Sequence, residues 1–239
     1  MGDVNEVKNK RKRAEVLRKL KRKRDAEKKQ EKTKRQRELK EKGLPLPEPQ
    51  TIESMRTMDC TFVSADDPDL RLDQSQDEFE DLLSRDEAPS VLITTCPKPS
   101  KTTHLFVKEL ENVLPYSIYK RRKETTLITQ VMDYANEAGH TAVVVVNEDS
   151  KEVNGLTVIH LPAGPTACFK LSNLRLSREI VGHGKALKTS PELILNNFKT
   201  RLGHRISRSL QSLFHQFPKC HNRQVATFHN QRDFLFFRH

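Results

Sequence analysis

Dense apolar runs begin only after Pro89, and from there their spacing alternates between the periods of strands and helices. Val91, Leu92, Ile93, Thr94 and Thr95 make a short continuous run, the pattern of a buried strand. Leu105, Phe106, Glu109, Leu110 and Val113 fall at helical spacing within residues 102–113, and residues 116–120 alternate as a short strand. Leu127, Ile128, Val131 and Tyr134 predict the apolar face of a second helix over 126–138, which Gly139 ends at its C′ position. Residues 142–146 (AVVVV) are the plainest strand in the chain. A turn over 147–155 follows, in which Asn154-Gly155 signals a hairpin or a bulge, then strands at 156–161 and 167–171 across a Pro162–Pro165 turn. The order β-α-β-α-β plus a hairpin predicts a layered α/β fold.

The last third repeats this less regularly. Residues 193–198 are an ambiguous apolar run. Thr200 is a candidate N-cap for a helix to about Phe214 that buries Leu202, Ile206, Leu210, Leu213 and Phe214. Residues 225–228 and 234–237 read as two strands joined by 229–233. Before Pro89 the grain differs. Residues 8–42 are strong helix formers without Gly or Pro, with Val16, Leu17 and Leu20 as their one apolar patch. They predict a solvated helix, or a disordered segment that becomes helical on a partner. The run LPLPEP at 44–49 interrupts any helix. From there to Ala88 the chain reads as a linker or docking segment, apart from a short amphipathic piece at Phe79, Leu82 and Leu83.

Charge divides the 239 residues at the same places. Residues 1–42 hold 19 Lys/Arg against 8 Asp/Glu, residues 43–88 hold 3 against 13, and residues 89–239 hold 21 against 11. The expected organisation is a basic tail (1–42), an acidic linker (43–88) and a basic domain (89–239). Blocks of positive charge suit a polyanion. Only 35% of the chain is hydrophobic, too little for a core along its whole length. No apolar stretch approaches the ~20 residues that cross a bilayer, and no apolar segment follows the basic start as in a signal peptide. Cys60, Cys96, Cys168 and Cys220 show no CxxC spacing, which points to idle thiols in a reducing, intracellular setting rather than a disulfide framework.

Catalytic patterns are missing. There is no GxSxG, HExxH or Walker A sequence, and Gly182-His183-Gly184-Lys185 lacks the earlier glycine and has Ala186 where Ser or Thr should follow. His204, His215, His221, His229 and His239 cluster late without metal-ligand spacing. The expectation is a protein that is not an enzyme, without cofactor, metal, membrane or small-molecule substrate. Basic patches stand out instead. Lys10, Arg11, Lys12, Arg13, Lys21, Arg22, Lys23 and Arg24 lie in the tail, Lys120, Arg121, Arg122 and Lys123 follow a short strand, and Arg201, Arg205 and Arg208 recur at i, i+4 and i+7 as a guanidinium stripe. These are the candidate RNA contacts, binding phosphate by counterion release without reading sequence. No RRM or KH pattern is present. The runs 8–13 and 21–24 also suit nuclear import. An alternative is a nuclear module whose acidic linker binds basic ribosomal proteins or histones.

The stretches VLITTCPKPS (91–100), VVVVNEDSKEVNGLTVIHLPAGPTACFKLSNLRL (143–176), ELILNNFKTRLGHRISRSLQSLF (192–214) and RQVATFHNQRDFLFFRH (223–239) resemble the Brix-domain family of ribosome biogenesis factors. The resemblance implies an α/β domain of two similar halves, related to the anticodon-binding domains of some aminoacyl-tRNA synthetases. It implies a nucleolar, non-catalytic factor that aids rRNA processing and assembly of the large (60S) subunit, with pre-rRNA and pre-60S proteins as partners. Asn196-Asn197-Phe198, Arg201-Leu202-Gly203 and Asn230-Gln231-Arg232-Asp233 match the family pattern and read as hydrogen-bonded structural positions or as RNA-facing ones, Arg232 among the latter. The family continues past the FFR strand with further strands and a basic motif likened to a sigma-factor RNA-binding segment. No counterpart follows here, so the expectation is a C-terminally shortened domain whose second half is incomplete, with an open sheet edge.

Overall fold

The computed structural model describes residues 10–42, 51, 54–55, 57, 60–64, 66–187, 189–216, 224–231 and 234–239. The chain divides into two units, Met1–Met58 and Asp59–His239.

In the first unit, the helix-forming run makes α1 (Lys10–Glu41), whose described side chains are almost all exposed. Its local support is an i, i+4 pair, Lys19 to Glu15 at 3.0 Å, and the Thr33 hydroxyl donating to the Lys29 carbonyl.

The second unit starts earlier than the apolar pattern indicates. α2 (Pro68–Ser75) begins with proline at its first position, and the Asp67 carboxylate accepts from the Asp69 amide at 3.0 Å. α3 (Glu80–Leu83) follows, and between them the pair buries Leu70 and, just before α3, Phe79. So residues 66–84, which read as linker or docking piece, are packed structure.

β1 (Val91–Thr95), β2 (Ser117–Tyr119), β3 (Ala142–Asp149), β4 (Glu152–His160) and β5 (Thr166–Lys170) form one sheet in the order β2-β1-β3-β4-β5. β2, β1 and β3 run parallel, and β4 and β5 return antiparallel. All of β1 and the first five residues of β3 are buried, as strands covered on both faces must be. α4 (Lys101–Val113) covers one face, where Val107 and Val113 join Val91, Ile93, Val144 and Val158. α5 (Ile128–Glu137) covers the other, where Val131 and Ala135 join Leu92, Val143, Val145 and Ile159. A second sheet holds β6 (Glu192–Asn196), β7 (Val225–Gln231) and β8 (Phe234–Arg238) in that order. β6 and β7 are parallel and joined through α6 (Arg201–Gln211), and β8 returns antiparallel. In each sheet parallel strands joined through a helix lead into an antiparallel return, three parallel strands in the first and two in the second, an α/β fold of two like halves. β8 is an edge strand with Phe234 and Phe236 exposed.

Three details depart from the apolar pattern. The β3–β4 turn lies at Ser150 and Lys151, both at positive φ (51° and 67°), as a two-residue hairpin of that twist requires. Gly155 instead sits within β4 opposite Asn147, where the register shifts, so Asn154-Gly155 marks a bulge. α5 is rotated from the face the sequence indicates, with Leu127 and Tyr134 exposed, and Leu202 of α6 is exposed too.

Candidate nucleic-acid interface

Cations come to the carboxyl ends of the parallel strands through two loops. After β2 the Lys120 amide still donates to the Ile93 carbonyl at 2.9 Å, and then the chain turns, the Thr126 amide closing on the Lys123 carbonyl. Lys120, Arg121 and Lys123 are exposed, while Arg122 is half-buried with its Nε lacking a hydrogen-bond partner. None of the four makes an ion pair among the described residues. Beside them Lys98, at φ 55°, pairs with Glu124 at 2.9 Å and ties the loop after β1 to the loop after β2. The amino end of α4 already holds an anion. Glu148 accepts from the Ser100 amide at 2.8 Å and the Thr103 hydroxyl at 2.5 Å. Partial burial pushes the Glu148 carboxyl up, but those hydrogen bonds outweigh it and hold it below the usual carboxylate value.

In the first unit, Lys12, Arg13, Lys21, Arg22, Lys23 and Arg24 lie along α1. The backbones of Lys10 and Arg11 belong to the same helix, and their side chains lie outside the described residues, as does all of Arg232.

α6 departs most from the surface its sequence suggests. Thr200 caps it, its hydroxyl accepting from the Gly203 amide at 2.9 Å, and a Cβ on Gly203 would lie 3.0 Å from that hydroxyl. Its three arginines all meet carboxylates of the segment 66–84. Arg201 pairs with Asp73 at 2.8 Å, and Arg205 pairs with Glu78. Arg208 donates to both Asp77 oxygens (2.5 and 2.8 Å), to Glu80 at 2.8 Å and to the Gln74 carbonyl at 2.9 Å. The Asp77 hydrogen bond leads the causes that hold the Arg208 guanidinium above its ordinary pKa. No local pattern in the sequence reveals this latch, yet its charges share a spacing. Asp73, Asp77 and Glu80 repeat at i, i+4 and i+7, the spacing of Arg201, Arg205 and Arg208.

Beneath the latch lies a buried polar contact. His160, at the end of β4, is 2% exposed, its Nε2 is 2.8 Å from the Ser209 hydroxyl, and Phe79 meets its ring edge-on at 5.0 Å. Burial pulls the imidazole down to about 4, against a smaller upward pull from Glu78. Asn197 and Asn230 are structural: the Asn197 amide donates to the Asn230 carbonyl at 2.6 Å, and the Asn230 amide donates back at 3.4 Å. Among the described residues no three His, Cys, Asp or Glu side chains converge as a metal site.

The Brix domain family model matches residues 96–239. A Brix domain-containing protein of Caenorhabditis elegans is 45% identical over 191 residues, 80% of this chain and 50% of that protein. Ribosome production factor 1 of Danio rerio is 48% identical over 240 residues, 98% of this chain and 72% of that protein. The chain therefore spans half the length of the nematode relative. The crystal structure of a probable ribosomal biogenesis protein from Aeropyrum pernix is 19% identical, with a TM-score of 0.48, over 63% of this chain and 88% of that one.

Proposed function

Since the chain belongs to the Brix domain family, we propose that it is a non-catalytic ribosome biogenesis factor that binds pre-rRNA in the nucleolus and supports assembly of the large subunit. Its relatives over nearly its full length are named ribosome production factor 1, which supports the process. The observation that carries the RNA contact is the state of the cations. Lys21, Arg22, Lys23 and Arg24 on α1 and Lys120, Arg121, Arg122 and Lys123 after β2 make no ion pair among the described residues, so phosphate meets no internal competitor there. α1 lays its charges along one exposed helix, which suits contact with a phosphate backbone and not with base edges.

The rival reading, an acidic segment that captures basic proteins, is weakened because Asp73, Asp77, Glu78 and Glu80 are already engaged by α6. In-cell crosslinking followed by sequencing of the attached RNA tests the proposal. Precursor rRNA should be recovered with the intact protein, and changing the eight cations above to Gln should reduce recovery at least tenfold. Association with pre-ribosomal proteins that survives RNase, together with no crosslinked rRNA, would support the rival.

A further inference from the structure

We propose that Arg201 and Arg205 are a phosphate-binding pair held in reserve: Asp73 and Glu78 occupy it in place of two RNA phosphates, and an RNA strand displaces them while the rest of the acidic segment stays packed. The inference rests on the RNA-binding reading above and assigns it a second contact surface.

The latch on α6 has two parts of different character. Arg208 and Asp77 are 15% and 12% exposed, and Arg208 is further bound by Glu80 and the Gln74 carbonyl. Phe79, fully buried, and Leu70 anchor the same segment by apolar contact. Opening this part would strand a buried guanidinium and expose an aromatic ring, so it remains closed. The outer part is built otherwise. Arg201 and Asp73 are 59% and 61% exposed, and Arg205 and Glu78 are 54% and 45% exposed. Pairs this wet hold weakly, and each carboxylate can swing into water without moving the backbone. Arg201 and Arg205 stand one helical turn apart on the same face. A phosphate presents a planar guanidinium with two oxygens, as the carboxylate does, and its entry adds the release of condensed counterions, which an internal carboxylate cannot supply. The exchange therefore runs toward RNA at low salt and back toward Asp73 and Glu78 as salt rises.

The test uses the full chain and a single-stranded RNA oligonucleotide, with affinity measured across a salt series. The D73N/E78Q variant should bind roughly three- to tenfold more tightly, since only weak surface pairs are removed. Its plot of log K against log salt should keep roughly the slope of the intact chain, since both proteins release counterions from the same two phosphates. Adding R201Q/R205Q should cancel that gain and flatten the slope by about 1.4, two contacts at ~0.7 each on a single strand. The D86N/E87Q variant makes the same charge change at exposed carboxylates with no ion pair among the described residues, and should fall short of the affinity gain of D73N/E78Q. In the unaltered protein, RNA should raise carbodiimide labelling of Asp73 and Glu78 but not of Asp77, a readout independent of any variant. If the intact chain binds RNA but D73N/E78Q matches D86N/E87Q, or labelling does not rise, the reserve site is overturned and the RNA-binding reading stands. If the intact chain fails to bind the RNA, both fall.

Discussion

His160 shows how one buried residue sets a pH limit on the fold. A histidine in an unfolded chain titrates near 6.5, and burial against Phe79 and Ser209 lowers this one to about 4 by stripping water from its cation. Glu78 offsets only part of that. Between the two values the unfolded chain binds a proton that the folded one does not, so stability rises with pH across this window. His160 stability is complete above pH 6.5 and is lost as pH falls toward 4, by about 3 kcal/mol at most. Urea unfolding at a series of pH values should show the loss, and His160→Gln should flatten the curve between pH 6.5 and 4. Equal slopes in the two proteins would mean that the imidazole is not held neutral.

At the scale of elements, sequence and structure agree where the signal is local. β1, β3 and the Thr200 cap stand where apolar run and capping residue put them. They diverge where burial is decided by contacts distant in sequence. Tyr134 has the helical spacing of a core residue, yet α5 turns Val131 and Ala135 to the sheet and leaves Tyr134 exposed. The arginine stripe was legible as a stripe, but not what it faces, since its partners lie about 130 residues earlier in a stretch whose acidity and weak periodicity resemble a linker. Phe79 was the clue, a lone aromatic among carboxylates. Phe79→Ala should cost about 3–5 kcal/mol in equilibrium unfolding, as for a filled core position. Leu202→Ala, which the helical pattern rates as core, should cost less than about 0.5 kcal/mol because that side chain is exposed. Similar losses at the two sites would contradict the packing described here.

Over the whole molecule the latch redistributes charge. Read by sequence blocks, the domain from 89 onward is strongly basic, but folding joins it to the acidic segment. The unit Asp59–His239 holds 23 Lys/Arg against 22 Asp/Glu, whereas Met1–Met58 holds 20 against 10, so nearly all of the net +11 belongs to the unit that contains α1. Long-range attraction to a polyanion follows net charge, while the second unit can contribute only local contacts such as Lys120 to Lys123. Stability follows the reverse division, since every residue of the two buried clusters lies between Val91 and Ala226. Deleting residues 1–42 should therefore separate the two properties. The unfolding midpoint should move by less than about 2 °C, because no described residue of 1–42 belongs to either buried cluster. RNA affinity should lose most of its salt dependence: if ~6–10 tail cations neutralise phosphates, the intact chain weakens roughly 10³–10⁵-fold between ~50 and ~200 mM salt, and the shortened one far less. A salt slope unchanged by the deletion would transfer the polyanion contact to the near-neutral unit, where Lys120 to Lys123 and the displaced Asp73 and Glu78 pairs would have to account for all of it.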